Sequence, residues 1–333
     1  MNSILYFIFI NSVILVTLYK IKINILLDKP DNIRKFHEQN TPLLGGIIII
    51  ISVFILNIIY FTEFKNIYFD NIFFKSYNDL ISLFIIAYSI FFIGLIDDKV
   101  GINPNKKFII LLIIIFTALI IDNNLIIKDI RISFYNTNIL LGNFSIPFSI
   151  LCYLLFINAF NMFDGINMQS GLYATTIFIY LLIVSNNSTY IFYVFLLSLI
   201  TFLALNFRGI IFLGDNGSLT ISYILSYFLV KSYNNNIVEF SDDIFIVMMV
   251  PGFEIFRLFF TRAIINKKNP FTADNQHIHH ILLNKIGYKK TIITLIILIV
   301  MPILLRIINI DTLPIIIISL FFYIFLIYKF KNK

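Results

Sequence analysis

Eleven long apolar stretches run through this chain of 333 residues and leave little polar sequence between them. A helix needs about 20 mostly apolar residues to cross a bilayer, and somewhat shorter stretches still qualify as candidates. We therefore predict an all-α polytopic membrane protein with about eleven transmembrane helices. The predicted spans are 3–19, 43–61, 80–96, 108–121, 146–163, 171–185, 190–205, 218–230, 243–260, 291–308 and 312–328.

The composition agrees with a chain whose solvent is largely lipid. Hydrophobic residues make up 59% of the chain and charged residues only 13%, and the mean hydropathy is +0.92. A soluble chain of this length lacks the polar surface to cover so much apolar area, which excludes a secreted domain, a coiled coil and a cytosolic enzyme. The single cysteine, Cys152, excludes an intramolecular disulfide. No linker or repeat divides the chain, so we predict one domain over 1–333.

The basic residues predict the orientation. Eighteen Lys and Arg fall in the loops and tail on one side of the predicted spans, and five fall on the other side. Positive charge accumulates on the cytoplasmic side, so we expect the N-terminus outside and the C-terminus inside. The net charge of +7 then reflects topology and anionic lipid, and no clustered basic patch predicts nucleic-acid binding. In one external loop, apolar segments 130–134 and 139–144 flank a polar stretch at 135–138, a pattern that predicts a short β-hairpin.

The polar residues gather on the predicted cytoplasmic side. All four histidines lie there in predicted loops, together with the acidic segment 93–99, the stretch 158–165 and the loop 212–218. A passive anchor does not require this arrangement, whereas a site at the cytosolic interface does.

Asp97 and Asp98 end the third predicted span. Adjacent carboxylates at a membrane boundary repel one another and need a cation or a shared proton. Neighbouring positions on a helix point about 100° apart, so we expect different roles for the two residues. Anchoring of the helix end is the alternative interpretation.

Asn158, Asn161 and Asp164 follow one another at intervals of three residues, and Gly165 then ends the predicted helix. Residues three apart share a helix face, and polar groups at membrane depth are costly and usually functional. Hydrogen bonding between helices by the two asparagines is the alternative.

Asp215 lies between Gly214 and Gly217 in a predicted turn, and Ser218 is placed to cap the next span. A carboxylate flanked by free backbone amides suits Mg²⁺ and phosphate oxygens. An ordinary Gly-Asp turn without a ligand is the alternative interpretation.

His277, His279 and His280 suggest zinc at first sight. A closed zinc site needs four ligands, and no cysteine or paired glutamate supplies the rest. Phosphate binding is the better interpretation, since Lys267, Lys268 and Arg262 lie nearby. A solvated polar loop is the other alternative. Arg34 and His37 belong to a basic segment that would attract lipid phosphate, although positive-inside anchoring also explains that segment.

Five segments, in this order, carry a resemblance: RKFH with TPLLGG, GLIDDK, NAFNMFDG, FLGDNGS and PFTADNQHIHH. Together, over about 29–282, they resemble the polyprenyl-phosphate N-acetylhexosamine-1-phosphate transferase family. The histidine segment and the eleven spans are more similar to its GlcNAc-1-phosphate branch than to its peptidoglycan branch. The resemblance implies transfer of a sugar-1-phosphate from a UDP-sugar to polyprenyl (undecaprenyl) phosphate, with release of UMP. The lipid-diphosphate-sugar product would initiate cell-envelope polysaccharide synthesis at the cytoplasmic face of a bacterial inner membrane.

The resemblance also implies residue roles. Asp215 and Asp164 would bind Mg²⁺, for which Mn²⁺ is a substitute, and Asp97 would accept the proton of polyprenyl phosphate or position the lipid. Asp98 would support the metal or the donor, and Phe212 would stack on uracil. Catalytic roles are thus implied for Asp97, Asp98 and Asp164, and substrate contacts for Asn158, Asn161, Phe212, His277, His279, His280, Arg34 and His37.

The chain departs from the family pattern at five positions. Asn167 and Glu254 stand where an Asp is usual, Met168 and Gln169 replace the usual Gly-Leu, and Ser222 stands where a Gly is common, which puts donor specificity in question. A covalent mechanism through an Asp nucleophile and a homodimer both stay open. The peptidoglycan transferase itself is the nearest alternative function. A secondary transporter is a second, although transporters place their carboxylates at the bilayer midplane and show repeats.

Overall fold

The computed structural model describes residues 26–28, 40–63, 72–185, 190–265, 267 and 276–331. Strands β1 (Leu27–Asp28) and β2 (Thr41–Pro42) pair antiparallel, as do β3 (Asp129–Ile132) and β4 (Tyr135–Leu140). The helices of these ranges are α1 Gly45–Glu63, α2 Tyr77–Val100, α3 Pro104–Ile121, α4 Ser145–Phe163, α5 Gln169–Val184, α6 Tyr190–Asn206, α7 Gly214–Asn234, α8 Ser241–Phe260, α9 Ile278–Ile307 and α10 Thr312–Lys331.

The predicted spans coincide with helices wherever the structure describes them. Each span from 43–61 onward matches one of α1 to α10, and the first span, 3–19, lies outside the described residues. Among the described residues, six helices are long and apolar enough to cross a membrane, namely α2, α3, α4, α8, α9 and α10. The protein is therefore a membrane-embedded helical protein. The count of eleven spans and the orientation stay predictions.

The turn between α2 and α3 is tight and well capped. Gly101, with φ 75°, ends α2, and its N–H donates to the carbonyl of Asp97. Asn103 caps α3, and Pro104 occupies its first turn, where a missing N–H costs nothing. The turn therefore places the carboxylates at the end of α2 beside the first turn of α3.

Helix α7 is the centre of the bundle. Every residue from Asn216 to Tyr233 is buried, and the helix packs against α1, α2, α4 and α5. Small residues let helix backbones approach closely. A Cβ on Gly46 would lie 2.6 Å from Gly217 Cα, and a Cβ on Gly94 would lie 2.5 Å from Asn216 Cα. These glycines therefore bring α1 and α2 against the first turn of α7.

The predicted hairpin is confirmed, but its predicted turn at 135–138 is wrong. The turn is formed by Ser133 and Phe134, and Tyr135–Leu140 is a strand. The reason is a tertiary anchor, because the Ser133 N–H donates to Asp242 Oδ1 at 2.9 Å and its hydroxyl lies 2.7 Å from Thr312 Oγ1. The hairpin, the start of α2 and the end of α7 meet at one end of the bundle, which we call the hairpin end.

A buried ion cluster joins three helices at the hairpin end. Lys231 Nζ on α7 lies 2.5 Å from Asp79 Oδ1 on α2 and 2.9 Å from Asp122 Oδ2, which follows α3. Its third contact is the carbonyl of Phe73 at 3.0 Å. The three charged side chains are at most 3% exposed. Removing one member of such a cluster leaves uncompensated buried charge.

Lys231→Met therefore lowers the free energy of unfolding by about 3–5 kcal/mol, because two carboxylates lose their cation. The measurement is thermal unfolding of detergent-solubilised protein, followed by the loss of its monodisperse elution peak. The triple variant Lys231→Met, Asp79→Asn, Asp122→Asn removes all three charges and should recover much of the loss. A single variant as stable as the wild type would contradict a structural role for the cluster.

Candidate active site

A polar cavity of about 810 Å³ lies at the other end of the bundle, which we call the cavity end. It forms where α2 and α4 end and where α7 and α9 begin. Its lining combines carboxylates, amides, a histidine and aromatic rings. The polar and aromatic lining residues are Asp28, Asp98, Asn161, Asp164, Asn167, Asn206, Phe212, Asp215, His280, Asn284 and Tyr288.

Asp98 holds the first turn of α7. Its Oδ1 accepts the backbone N–H of Asp215 at 2.9 Å, and its Oδ2 accepts the N–H of Asn216 at 2.9 Å. A carboxylate at a helix N-terminus satisfies unpaired amides and interacts favourably with the helix dipole. The predicted cap by Ser218 is therefore wrong. The helix begins one turn earlier, and Asp215 belongs to its first turn rather than to a loop.

Lys107 joins two carboxylates from different helices. Its Nζ lies 2.6 Å from Asp97 Oδ2 at the end of α2 and 2.7 Å from Asp215 Oδ2 at the start of α7. Asp97 Oδ1 also accepts the N–H of Ile102 at 2.6 Å. The first turn of α3 thus supplies the cation that Asp97 needs, whereas backbone amides of α7 satisfy Asp98.

Asn161 extends this group from α4. With its amide nitrogen donating to Asp215 Oδ1 at 3.0 Å, its oxygen accepts from Lys107 Nζ at 3.2 Å. The same nitrogen lies 2.7 Å from Ser218 Oγ. Asp97, Lys107, Asn161 and Asp215 therefore form a network contributed by four helices.

Two carboxylates of the cavity hold protons more tightly than usual. Burial raises the pKa of Asp164 to about 6, although the Ser170 hydroxyl donates to its Oδ1 and opposes the shift. Burial and the nearby Asp97 raise the pKa of Asp215 to about 7, against the opposing charge of Lys107. Both shifts show a site that favours added positive charge, because a cation would restore the ionised form.

The arrangement fits Mg²⁺ bound together with a phosphate. No three or more His, Cys, Asp or Glu among the described residues are placed to hold a metal by themselves. Magnesium usually takes one or two protein carboxylates, and phosphate and water complete its octahedron. Asp164 and Asp215 line the cavity and supply such oxygens.

The three histidines of this segment lie at the start of a helix. The predicted loop at this position is therefore wrong. His277 is the N-cap residue of α9, and His279 and His280 are in its first turn. The rings of His279 and His280 lie 4.3 Å apart between centroids, and those of His277 and His280 lie 6.0 Å apart. A Cβ on Gly165 would collide with the ring of His279, so the histidine cluster packs directly beside Asp164.

The predicted site residues thus fall into three groups. Those that line the cavity are Asp98, Asn161, Asp164, Phe212, Asp215 and His280. Asp97 borders it through Lys107, while His277 and His279 are buried behind it. The amide of Asn158 donates to the carbonyl of Leu154 within its own helix, at 2.7 Å. Arg34 and His37 lie outside the described residues.

Sequence reasoning missed several residues of this site, among them Lys107, Asn206 and Tyr288. Lys107 was counted only among the inside charges, although it begins the helix that follows the Asp97-Asp98 pair. The Oδ1 of Asn206 accepts the N–H of Met168 at 2.6 Å, and the Tyr288 hydroxyl donates to the carbonyl of Asn167 at 3.2 Å. A search for a cation near the paired carboxylates would have found Lys107. The other two residues carry no local signal.

The fold and the cavity together describe a membrane-embedded helical protein with a polar, ionisable cavity at one end of its helices. The model of glycosyl transferase family 4 matches residues 80–233, which include Asp97, Asp98, Asp164 and Asp215. The resemblance inferred from the motifs is therefore confirmed. The match also disfavours the transporter alternative.

Similar proteins cover most of the chain. The undecaprenyl-phosphate alpha-N-acetylglucosaminyl 1-phosphate transferase of Thermotoga maritima is 27% identical over 274 residues, which is 81% of this chain and 77% of that protein. The probable undecaprenyl-phosphate N-acetylglucosaminyl 1-phosphate transferase of Bacillus subtilis is 28% identical over 267 residues, or 77% of this chain and 69% of that protein. The undecaprenyl-phosphate alpha-N-acetylglucosaminyl 1-phosphate transferase of Salmonella typhi is 25% identical over 270 residues, which is 78% of this chain and 69% of that protein.

Proposed function

We propose that this protein transfers N-acetylglucosamine-1-phosphate from UDP-GlcNAc to undecaprenyl phosphate and releases UMP. The observation that carries the proposal is the cavity itself. Five sequence segments far apart in the chain bring carboxylates, amides, aromatic rings and a histidine to one polar space. The names of the similar proteins support this reaction over others that such a cavity allows.

The acceptor side of the reaction is assigned to Asp97 and Lys107. The attacking oxygen of a lipid phosphate is already an anion, so alignment and charge neutralisation matter more than a strong base. Lys107 supplies positive charge between Asp97 and Asp215, and Asp97 would position the lipid phosphate or accept its proton.

The donor side is assigned to the cavity wall formed by Asn161, Asp164, Phe212, Asp215 and His280. Asp164 and Asp215 would hold Mg²⁺, which supplies the charge that neutralises the donor diphosphate when bound. The ring of Phe212 lines the cavity and offers a stacking face for uracil. Asn161 orients both Lys107 and Asp215, so it couples the acceptor and donor sides.

The function is tested with purified protein, undecaprenyl phosphate, Mg²⁺ and radiolabelled UDP-GlcNAc. We expect UMP release and label in the organic phase. Asp215→Asn should lower turnover by about 100-fold or more, because transition-state charge loses preorganised stabilisation. UDP-MurNAc-pentapeptide serves as a parallel donor. Faster transfer from that donor would replace the proposal by the peptidoglycan transferase, and no product from either donor would refute both.

The metal proposal has a readout besides activity. With UDP-GlcNAc present, Mg²⁺ should raise the unfolding midpoint of the wild type by a few degrees, because bound ligand stabilises the folded state. Asp215→Asn should lose this shift. Asp311→Asn is the matched control, because it removes an exposed carboxylate at the start of α10. Full activity in excess EDTA would overturn the metal assignment.

We propose that the cavity end faces the cytoplasm of a bacterial inner membrane. In a background with Cys152→Ser, Asn138→Cys at the hairpin should react from outside intact cells with an impermeant maleimide. Asn105→Cys at the start of α3 should react only after permeabilisation, because the basic loops retain that side inside. The reverse labelling pattern would invert the topology and place the site outside.

A further inference from the structure

Glu254 is a buried carboxylate in the middle of α8 that lies behind the histidine cluster and outside the cavity. It is 2% exposed, and four groups surround it. Its Oε1 accepts from Arg257 Nη2 at 2.8 Å and from the backbone N–H of Ile278 at 2.9 Å. Its Oε2 accepts from the hydroxyl of Tyr323 on α10, and His277 Nδ1 lies 3.4 Å from Oε1.

These contacts fix the backbone on both sides of His277, at Gln276 and at Ile278. Ile278 is the first residue of α9, where backbone N–H groups have no partner within the helix, and Glu254 satisfies its N–H. Arg257 donates to the carbonyl of Gln276 at 2.6 Å and to the Tyr323 hydroxyl at 2.8 Å. The start of α9 is thereby fixed to α8 and α10 through one carboxylate.

The three histidines connect the start of α9 to the cavity. His277 and His279 stack with centroids 5.2 Å apart, and His279 contacts His280 and packs on Gly165. His280 lines the cavity. A buried carboxylate is stable only when both of its oxygens accept hydrogen bonds. Glu254 therefore restricts the start of α9 to the few conformations that keep these hydrogen bonds.

We propose that Glu254, Arg257 and Tyr323 are positioning residues that set the orientation of His280 toward the donor. The proposal rests on the proposed function, because the donor is what His280 would meet in the cavity. It also gives a physical reason for Glu at position 254. The side chain reaches from the interior of α8 to the first backbone amide of α9, and Asp is one methylene shorter.

The test is a double-mutant cycle between Tyr323 and His280. Tyr323→Phe removes one donor to a charged acceptor, and we expect a roughly tenfold lower kcat/KM for UDP-GlcNAc. In a His280→Ala background the same change should have almost no further effect. Tyr173→Phe is the matched control, because its buried hydroxyl also donates to α8, at the carbonyl of Val247 at 3.0 Å, without contacting Glu254.

Glu254→Asp and Glu254→Ala extend the test along one side chain. We expect partial activity for Asp and the lowest for Ala, with unfolding midpoints recorded beside each rate. An equal loss from Tyr323→Phe in both His280 backgrounds would mean support of the fold only. No loss in either background would overturn the proposal.

A second measurement separates this proposal from the proposed function. Modification of His280 by diethyl pyrocarbonate, followed by mass spectrometry, needs no turnover. We expect several-fold faster modification in Tyr323→Phe than in the wild type or Tyr173→Phe, because a released helix start exposes the ring. Unchanged modification rates would overturn positioning even in an active enzyme. Faster modification in a protein without transferase activity would refute only the proposed function.

Discussion

The ammonium of Lys107 is the contact on which the cavity end depends. Asp97 and Asp215 come from different helices, and two carboxylates at this depth repel unless a cation lies between them. Lys107 approaches both within 2.7 Å. The helix start at Pro104 and the close backbone contact between Gly94 and the first turn of α7 bring α2, α3 and α7 near enough for that bridge.

The same three helices meet a second time through charge. At the hairpin end the lysine is on α7 and the carboxylates belong to α2 and the residue after α3, whereas at the cavity end the lysine is on α3. The cluster at the hairpin end is almost completely enclosed, while the side chain of Asp215 is 32% exposed. The enclosed group fits a structural role, and the accessible group fits contact with a ligand.

The sequence predicted the helices and strands of this fold far better than the side-chain contacts between them. The lengths of the apolar stretches identified ten helices, because a helix that contacts lipid must be apolar over most of its length. The sequence also identified the polar segments that converge, because charges on one membrane face are distinctive. It missed Lys107 and Lys231, since a lysine in a loop and one in an ion cluster have the same local sequence. It placed the histidines and Asp215 in loops because their capping partners, Glu254 and Asp98, are distant in the chain. The hairpin turn lies at Ser133 rather than at 135–138 for the same reason, because the N–H of Ser133 donates to Asp242, which is also distant in the chain.

The ion cluster at the hairpin end constrains how the protein is made. Lys231 is synthesised about 110 residues after Asp122, and at roughly 5–20 residues per second its arrival takes on the order of ten seconds. During that interval α2 and α3 have two carboxylates and no lysine. Both carboxylates lie near helix ends, where water can hydrate them until α7 packs against α2. Assembly of the bundle around α7 is therefore also the step that removes these charges from water.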